Sequence, residues 1–416
     1  MSDVDSDARR LATGVKKSDA LLPEPPGLWS FSSLKDIEAC PRRYMLLRAS
    51  YPDLGYQDGY PQLPSLPALM GVIVHDTLEE IVKELVAAGC ESSSAEGVTG
   101  VMIKLGGITA VVDRVLAKKL KDLECNPRLN EEQLRRLARD LADGVADARV
   151  RVQEYLSRGK FAPRPVKSGV AVNVASHEPR LALRCRASLG ANAEVTVMSE
   201  ELCLMGRIDL LNLHEDHATI LDYKTGVENP SHIEQLQMYA LLWDLDRVVN
   251  PDSIPTVELI AAYPHRDLTM PAPTPEELLE LAQVVRQRTA TANSVFTSNA
   301  PQAKPSAENC GVCQVRQLCA DYWTSTELTA PPDVEVGDWF DFEGLVGPAN
   351  GIRSVWLLDS KGEKKILLRT TPTSPLLVQG EMVRLLGLRR DLEPDTPNPV
   401  AVMSTRSEVF VLANSN

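Results

Sequence analysis

Asp209, Asp222 and Lys224 stand where a hairpin would bring them together. Residues 202–213 and 218–223 are apolar runs of strand-forming type, and Glu215-Asp216-His217 between them reads as a turn. Alternation along the second strand puts Asp222 and Lys224 on one face and Tyr223 on the other. Asp209, at the end of the first strand, can then lay its carboxylate beside that of Asp222. Two carboxylates and an ammonium on one sheet face make a poor core and a good hard-cation site. Oxygen ligands suit Mg²⁺ or Mn²⁺, and the lysine can hold or polarise a water. An Asp-x-Lys alone more often describes a solvated hairpin with a surface ion pair. Here the surrounding residues decide the matter.

Those residues are Gly206-Arg207-Ile208-Asp209, Ile220-Leu221-Asp222-Tyr223-Lys224-Thr225-Gly226 and, downstream, Gln235-Leu236-Gln237-Met238-Tyr239. Gln235 and Tyr239 are four apart and share a helix face, although Leu236 and Ala240 mark the same helix as buried. Upstream, Gly71, His75 and Glu79 are spaced along an apolar helix, where a lone histidine is ordinarily just packed. The ensemble closely resembles the core of RecB-type PD-(D/E)XK nucleases, which carry a Gly-x-x-x-His-x-x-x-Glu helix before the hairpin. The resemblance implies a mixed α/β sheet of restriction-endonuclease type, flanked by helices. It implies His75, Asp209, Asp222 and the carbonyl of Tyr223 as metal ligands. Asp209, Asp222, Lys224, Gln235 and Tyr239 become the catalytic set. In it Lys224 deprotonates or orients the water, and Gln235 helps place nucleophile or substrate. Glu79, one turn beyond His75, is expected to orient the imidazole.

Of eight cysteines, Cys90, Cys125, Cys185 and Cys203 lie in apolar or helical contexts that packing explains. Cys310-x2-Cys313-x5-Cys319 is too regular for packing alone. Three thiolates at that spacing suit zinc or an iron–sulfur cluster, and each needs a fourth ligand. Cys40, followed by Pro41, is the candidate. An early Cys-Pro-x-x-Tyr with a late C-x2-C-x5-C resembles the iron–sulfur members of the same family: AddB-type nuclease domains, the exonuclease V family and the CRISPR spacer-acquisition nucleases. That resemblance implies a [4Fe–4S] cluster on Cys40, Cys310, Cys313 and Cys319, stapling the two ends of the domain around the active site.

The elements that must position these groups can be read coarsely. Residues 1–27 read as a flexible leader, and Ser32 or Ser33 as the cap of a helix delivering Cys40. Residues 69–88 carry helical periodicity and His75. A helical insertion is expected over about 90–160, loop-like at 89–110 and helical over 111–121 and 130–158. Strands are expected at 169–174, 180–187 and 257–263, and helices at 233–245 and from 275 to about 291. The nuclease domain thus spans 28–330. After Pro331-Pro332, runs at 337–346, 353–358, 364–370, 381–388 and 400–412 predict a C-terminal all-β, OB-like barrel over 331–416. Such a barrel can bind single strands through Trp339, Phe340, Phe342, Trp356, Arg353, Lys364, Lys365 and Arg369, or dock a protein.

A net charge of −13 argues against a generally basic nucleic-acid coat, and no stretch approaches 18 consecutive apolar residues. The start of the chain is polar and lacks a signal-type apolar core, so a cytoplasmic protein without a membrane partner is expected. No G-x-x-x-x-G-K-[ST] occurs, so any unwinding must come from a helicase or other partner protein. The expected activity is a metal-dependent deoxyribonuclease acting on single-stranded DNA or DNA ends, in repair, recombination or defence. The alternatives are a structure-selective or defence endonuclease working with partner proteins, and a non-catalytic Fe–S DNA-binding subunit.

Overall fold

Serine, proline and glycine punctuate the first half of the chain. The computed structural model describes residues 20–163, 184–298, 300–325, 334–359, 362–371, 374, 376–393 and 398–412. The expected strand at 169–174 and the Pro331-Pro332 linker lie outside them, as do residues 1–19 of the expected leader. Helix α1 (Phe31–Ala39) starts at Ser30, whose hydroxyl accepts from the Ser33 amide at 3.1 Å. The Ser33 hydroxyl accepts in return from the Ser30 amide at 2.8 Å, so the cap precedes the serines expected to form it. Pro41 then opens α2 (Pro41–Arg48), and α3 (Leu66–Ala87) buries Ile73, Val74, Leu78, Ile81 and Leu85.

The insertion is more helical than expected. Residues 89–110, read as a loop, contain α4 (Val98–Leu105), ended by Gly106 at φ +81° before α5 (Gly107–Leu123). The helix expected over 130–158 is two, α6 (Glu131–Asp143) and α7 (Val145–Arg158), divided at Gly144. Met70 packs so close there that a β-carbon would sit 2.9 Å from its methyl.

The central sheet runs β1 (Gly190–Ser199), β2 (Leu204–Leu213), β3 (Ala218–Tyr223), then, after α8 (Pro230–Leu245), β4 (Thr256–Ala262) and β5 (Asp267–Pro271), in the order β1-β2-β3-β4-β5. Only β3 and β4 pair in parallel, and α8 is the crossover that this requires. The strand expected over 180–187 is absent from its described part, 184–187. The strand that precedes the hairpin is β1, which the sequence reading passed over. α9 (Pro275–Ser294) follows, and then the short α10 (Ala307–Gly311) and α11 (Ala320–Thr324).

One face of the sheet packs on α1, α8 and α9, where Trp29, Leu34, Leu236, Leu241, Trp243 and Val285 are buried. The other packs on α3, α5 and α7 through Val74, Leu78, Val112, Val152 and Tyr155. The insertion is therefore a layer of the core. Ile208 joins the first layer and Leu210 the second, so the face alternation of β2 breaks at Asp209.

β6 (Trp339–Ala349), β7 (Ser354–Leu358), β8 (Lys364–Arg369), β9 (Met382–Asp391) and β10 (Val400–Val402) close a five-stranded barrel. Closure comes from the parallel β8–β10 and antiparallel β10–β9 and β9–β6 pairs. The run expected as a fifth strand over 400–412 is two, because β11 (Glu408–Val411) leaves β10 and pairs on β9. Phe340 and Phe342 fill the barrel core, while Trp339 stays 53% exposed. Lys365 is paired with Asp359 and Glu363, and Arg369 with Glu393, which neutralises part of the expected basic surface.

The barrel meets the late cysteine segment through buried ion pairs. Asp341 takes hydrogen bonds from Arg316, from the Tyr322 hydroxyl at 2.8 Å and from the Gly387 amide at 2.8 Å. Arg128, from the turn after α5, grips Glu408 with bonds of 2.9 and 2.8 Å and donates to the carbonyls of Pro61 and Gln314. A buried pair broken on one side leaves an uncompensated charge at a cost of about 3–5 kcal/mol, whereas removing both partners costs far less. Glu408→Ala should therefore lower the unfolding free energy in urea by about 3 kcal/mol, and Arg128→Met with Glu408→Leu should recover most of it. Equal losses in the single and double variants would show that the pair is not what couples barrel and insertion.

Candidate active site

The site forms where the middle of β2 and the end of β3 meet α3, α7 and α8, so Asp209 lies inside its strand and not at the end expected for it. Asp209 and Asp222 are both nearly fully buried. Asp209 Oδ2 accepts the Tyr223 amide at 2.7 Å and faces His75 Nε2 at 3.3 Å. Asp222 Oδ2 touches the Lys224 ammonium, yet it accepts no hydrogen bond of normal geometry. Lys224 also donates to Gln235 Oε1, and Gln235 Nε2 reaches the Tyr239 hydroxyl at 2.7 Å. The chain Asp222–Lys224–Gln235–Tyr239 thus runs from strand to helix, and the i, i+4 spacing read from the sequence sets its far end. Below Lys224 the Tyr155 hydroxyl donates to its carbonyl at 2.8 Å, so α7 also shapes the site.

Two glycines permit this packing. A β-carbon on Gly206 would fall 2.6 Å from the ring of Tyr239. One on Gly71 would fall 2.9 Å from the Thr225 hydroxyl, so only glycine lets α3 approach the segment after Lys224.

Glu79 does not orient His75 as expected. Its carboxylate pairs with Lys83 and, at 2.8 Å, with Arg207, while His75 turns Nε2 to Asp209. Arg207 reaches on to Glu194, a residue the sequence reading missed. Glu194 lies on β1 in the place across from Asp209, between the pairs Ala193–Leu210 and Val195–Ile208. Its backbone sits at φ +58°, an uncommon state for a residue with a side chain and one found at constrained sites. The signal was a lone glutamate inside an apolar run, which is invisible once the strand itself is missed.

The titration behaviour follows from this crowding. Burial, and then the neighbouring Asp209, pushes the Asp222 carboxyl above its ordinary range. Burial with Asp209 and Glu79 nearby pushes Glu194 up to about 8. The hydrogen bond to Asp209 raises His75 to about 9 against the opposing effect of burial. Three acidic groups crowd one dry pocket, each met by a single cation: His75 at Asp209, Lys224 at Asp222 and Arg207 at Glu194. That donor set fits a hard divalent cation. Among the described residues, His75, Asp76 and Glu79 bring ligand atoms within 4.8 Å of one another. Asp76 is paired with Lys119, and Glu79 with Lys83 and Arg207.

Cys40, Cys310, Cys313 and Cys319 line one pocket, together with Arg42, Arg43, Lys304 and Arg316. Cys40 ends α1, Cys310 sits in α10 and Cys319 caps α11; all four are free thiols. The Lys304 amide points at Cys40 Sγ from 3.5 Å. Burial raises the Cys313 thiol to about 11. Among the described residues the cysteines form no group of three with sulfurs inside 4.8 Å of one another.

The profile of the PD-(D/E)XK nuclease superfamily matches residues 28–320, which takes in every one of these residues. No curated protein matches the chain. The crystal structure of SSO0001 is similar at 15% identity with a TM-score of 0.20, over 31% of this chain and 60% of that one.

The proton affinities of His75 and Glu194 are both raised, so a cation seated among these groups competes with protons. Mn²⁺ titrated calorimetrically at pH 7 in buffers of different ionisation enthalpy should release on the order of one proton, with affinity rising from pH 6 to pH 8. A binding heat independent of buffer and an affinity flat with pH would contradict this.

Proposed function

The chain belongs to the PD-(D/E)XK nuclease superfamily, and from that membership we propose a metal-dependent deoxyribonuclease that acts on single strands or free ends. The observation that carries the proposal is the buried pair Asp209 and Asp222, with Lys224 held between Asp222 and Gln235. Asp209, Asp222, His75 and the carbonyl of Tyr223 would hold Mg²⁺ or Mn²⁺. The cation supplies Lewis acidity and relief of charge on the phosphate. Lys224 aligns the attacking water and stabilises the negative charge that grows as the phosphorus–oxygen bond lengthens. Gln235, fixed by Tyr239, keeps the ammonium from swinging away. Arg207 holds Glu194 and Glu79 at the rim and so keeps β1 and α3 in register around Asp209. A complete Asp209, Asp222 and Lys224 set speaks against a non-catalytic DNA-binding subunit.

A charge of −13 gives no general attraction to nucleic-acid phosphates, which argues against tight nonspecific duplex binding. Any unwinding would fall to a partner protein. The barrel's strand order, closed by the parallel β8–β10 pair, supports an OB-like module. Its ion-paired Lys365 and Arg369, and its docking through Asp341 and Glu408, favour a structural role over strand binding.

For the cysteines the proposal is a [4Fe–4S] cluster that clamps residue 40 to residues 310–319. Four thiols from distant parts of the chain share one pocket edged by Arg42, Arg43 and Lys304, which suits an anionic cluster. When bound, the cluster supplies a covalent tie between the chain's two ends, comparable to a long-loop crosslink.

Asp222→Ala and Lys224→Ala should each lower cleavage of an end-labelled single strand on the order of 10³-fold while the protein still folds, as circular dichroism would show. Near-normal turnover in either variant would sink the site. Anaerobically purified protein should contain iron and sulfide, and Cys40→Ser should lose both, whereas Cys185→Ser keeps them. One zinc per chain without sulfide would replace the cluster by a zinc clamp and leave the nuclease reading standing.

A further inference from the structure

The first turn of α8 carries a histidine that the catalytic set does not use. His232 stands three residues before Gln235, and so shares the helix face that presents Gln235 and Tyr239 to Lys224. Its Nδ1 lies 2.7 Å from the Tyr263 hydroxyl, at the end of β4, with the two rings 5.8 Å apart. The phenol proton has no other acceptor among the described residues, so the phenol donates to Nδ1. The neutral ring then carries its hydrogen on Nε2, which makes no hydrogen bond among the described residues.

The surroundings favour that tautomer over the charged ring. Burial, and after it the ammonium groups of Lys224 and Lys35, lower the His232 pKa. His232 stands on α8 three residues before Gln235, which takes the Lys224 ammonium, so the pair lies beside the candidate catalytic residues. Half-exposed and one turn from Gln235, Nε2–H is a donor held ready for an acceptor that arrives from solvent. Two ammonium groups nearby make that acceptor an anion. A polynucleotide entering the pocket presents its own such groups, its backbone phosphates.

We infer that His232 contacts a backbone phosphate of the bound strand, next to the one cleaved, with Tyr263 holding it as an Nε2–H donor. This rests on the nuclease reading for its substrate and adds a substrate-positioning residue to it. Tyr263 is a positioning residue that acts only through His232.

The test compares His232→Ala, His232→Gln and Tyr263→Phe with the full-length protein on a 5′-labelled single-stranded oligonucleotide. Affinity is read by fluorescence anisotropy in EDTA, where metal-dependent cleavage is off, and KM and kcat in Mn²⁺. His232→Ala should raise Kd and KM about tenfold, the worth of one hydrogen bond to a charged group, with kcat changed by less than about threefold. His232→Gln, whose amide can donate from a similar place, should recover most of the loss, and Tyr263→Phe should fall between. Methylphosphonates placed singly along the strand should weaken wild-type binding at one position where His232→Ala is indifferent. Unchanged Kd and KM in His232→Ala would overturn the inference. So would a Gln variant as impaired as Ala, or equal sensitivity of both proteins at every methylphosphonate. A wild type that binds the strand but never cleaves it removes the nuclease reading alone, and the affinities still decide His232. A wild type that does not bind it removes both.

Discussion

Everything near the candidate site answers to one constraint: Asp209 and Asp222 are both buried, and a buried carboxylate must find compensation. His75 faces one carboxylate and Lys224 touches the other, while Glu194 adds a third acid across the strand pair and meets Arg207. Burial and the crowding of like charges show themselves as raised proton affinities at Asp222 and Glu194. Such a site can hold protons or a cation. α3 and α8 pack close on it. Gly71 and Gly206 are the points where that closeness is allowed.

The same logic of buried charge joins the outlying parts of the chain. Arg128 ties the insertion to the barrel and to the carbonyls of Pro61 and Gln314, while Arg316 and Tyr322 tie the cysteine segment to Asp341. The residues between Cys313 and Cys319 therefore face the cysteine pocket on one side and the barrel on the other. A disturbance of the thiols is felt directly at the barrel contact, and the barrel buttresses the segment that presents three of the four thiols. Such a joint makes the barrel a brace for the nuclease domain, whatever else it binds.

The parts of this site legible in the sequence were those set by local spacing. Asp222 and Lys224 follow from strand alternation, and Gln235 and Tyr239 from the helical repeat; each pair is fixed within a handful of residues. The cysteines were legible because their spacing is too regular for packing. What stayed hidden depends on distant geometry. Glu194 sits on a strand whose Gly, Asn and Glu break the alternation, and it gains its role only by lying across from Asp209. Glu79 was assigned to His75 by helical proximity, but Arg207 from β2 outcompetes the imidazole for its carboxylate. His232 and Tyr263 are thirty-one residues apart and meet only because α8 crosses over to bring β4 beside β3. The interface between barrel and insertion is likewise invisible to pattern, since Arg128 and Glu408 lie 280 residues apart.

The central claim is that the cation belongs between the two buried aspartates and His75, and not on the exposed turn of α3. Anomalous scattering from crystals soaked in Mn²⁺ tests this most directly. A peak is expected within bonding distance of Asp209, Asp222 Oδ2 and His75 Nε2, with Lys224 displaced from Asp222 toward Gln235. A peak held by Asp76 and Glu79 with the aspartate pocket empty would contradict it.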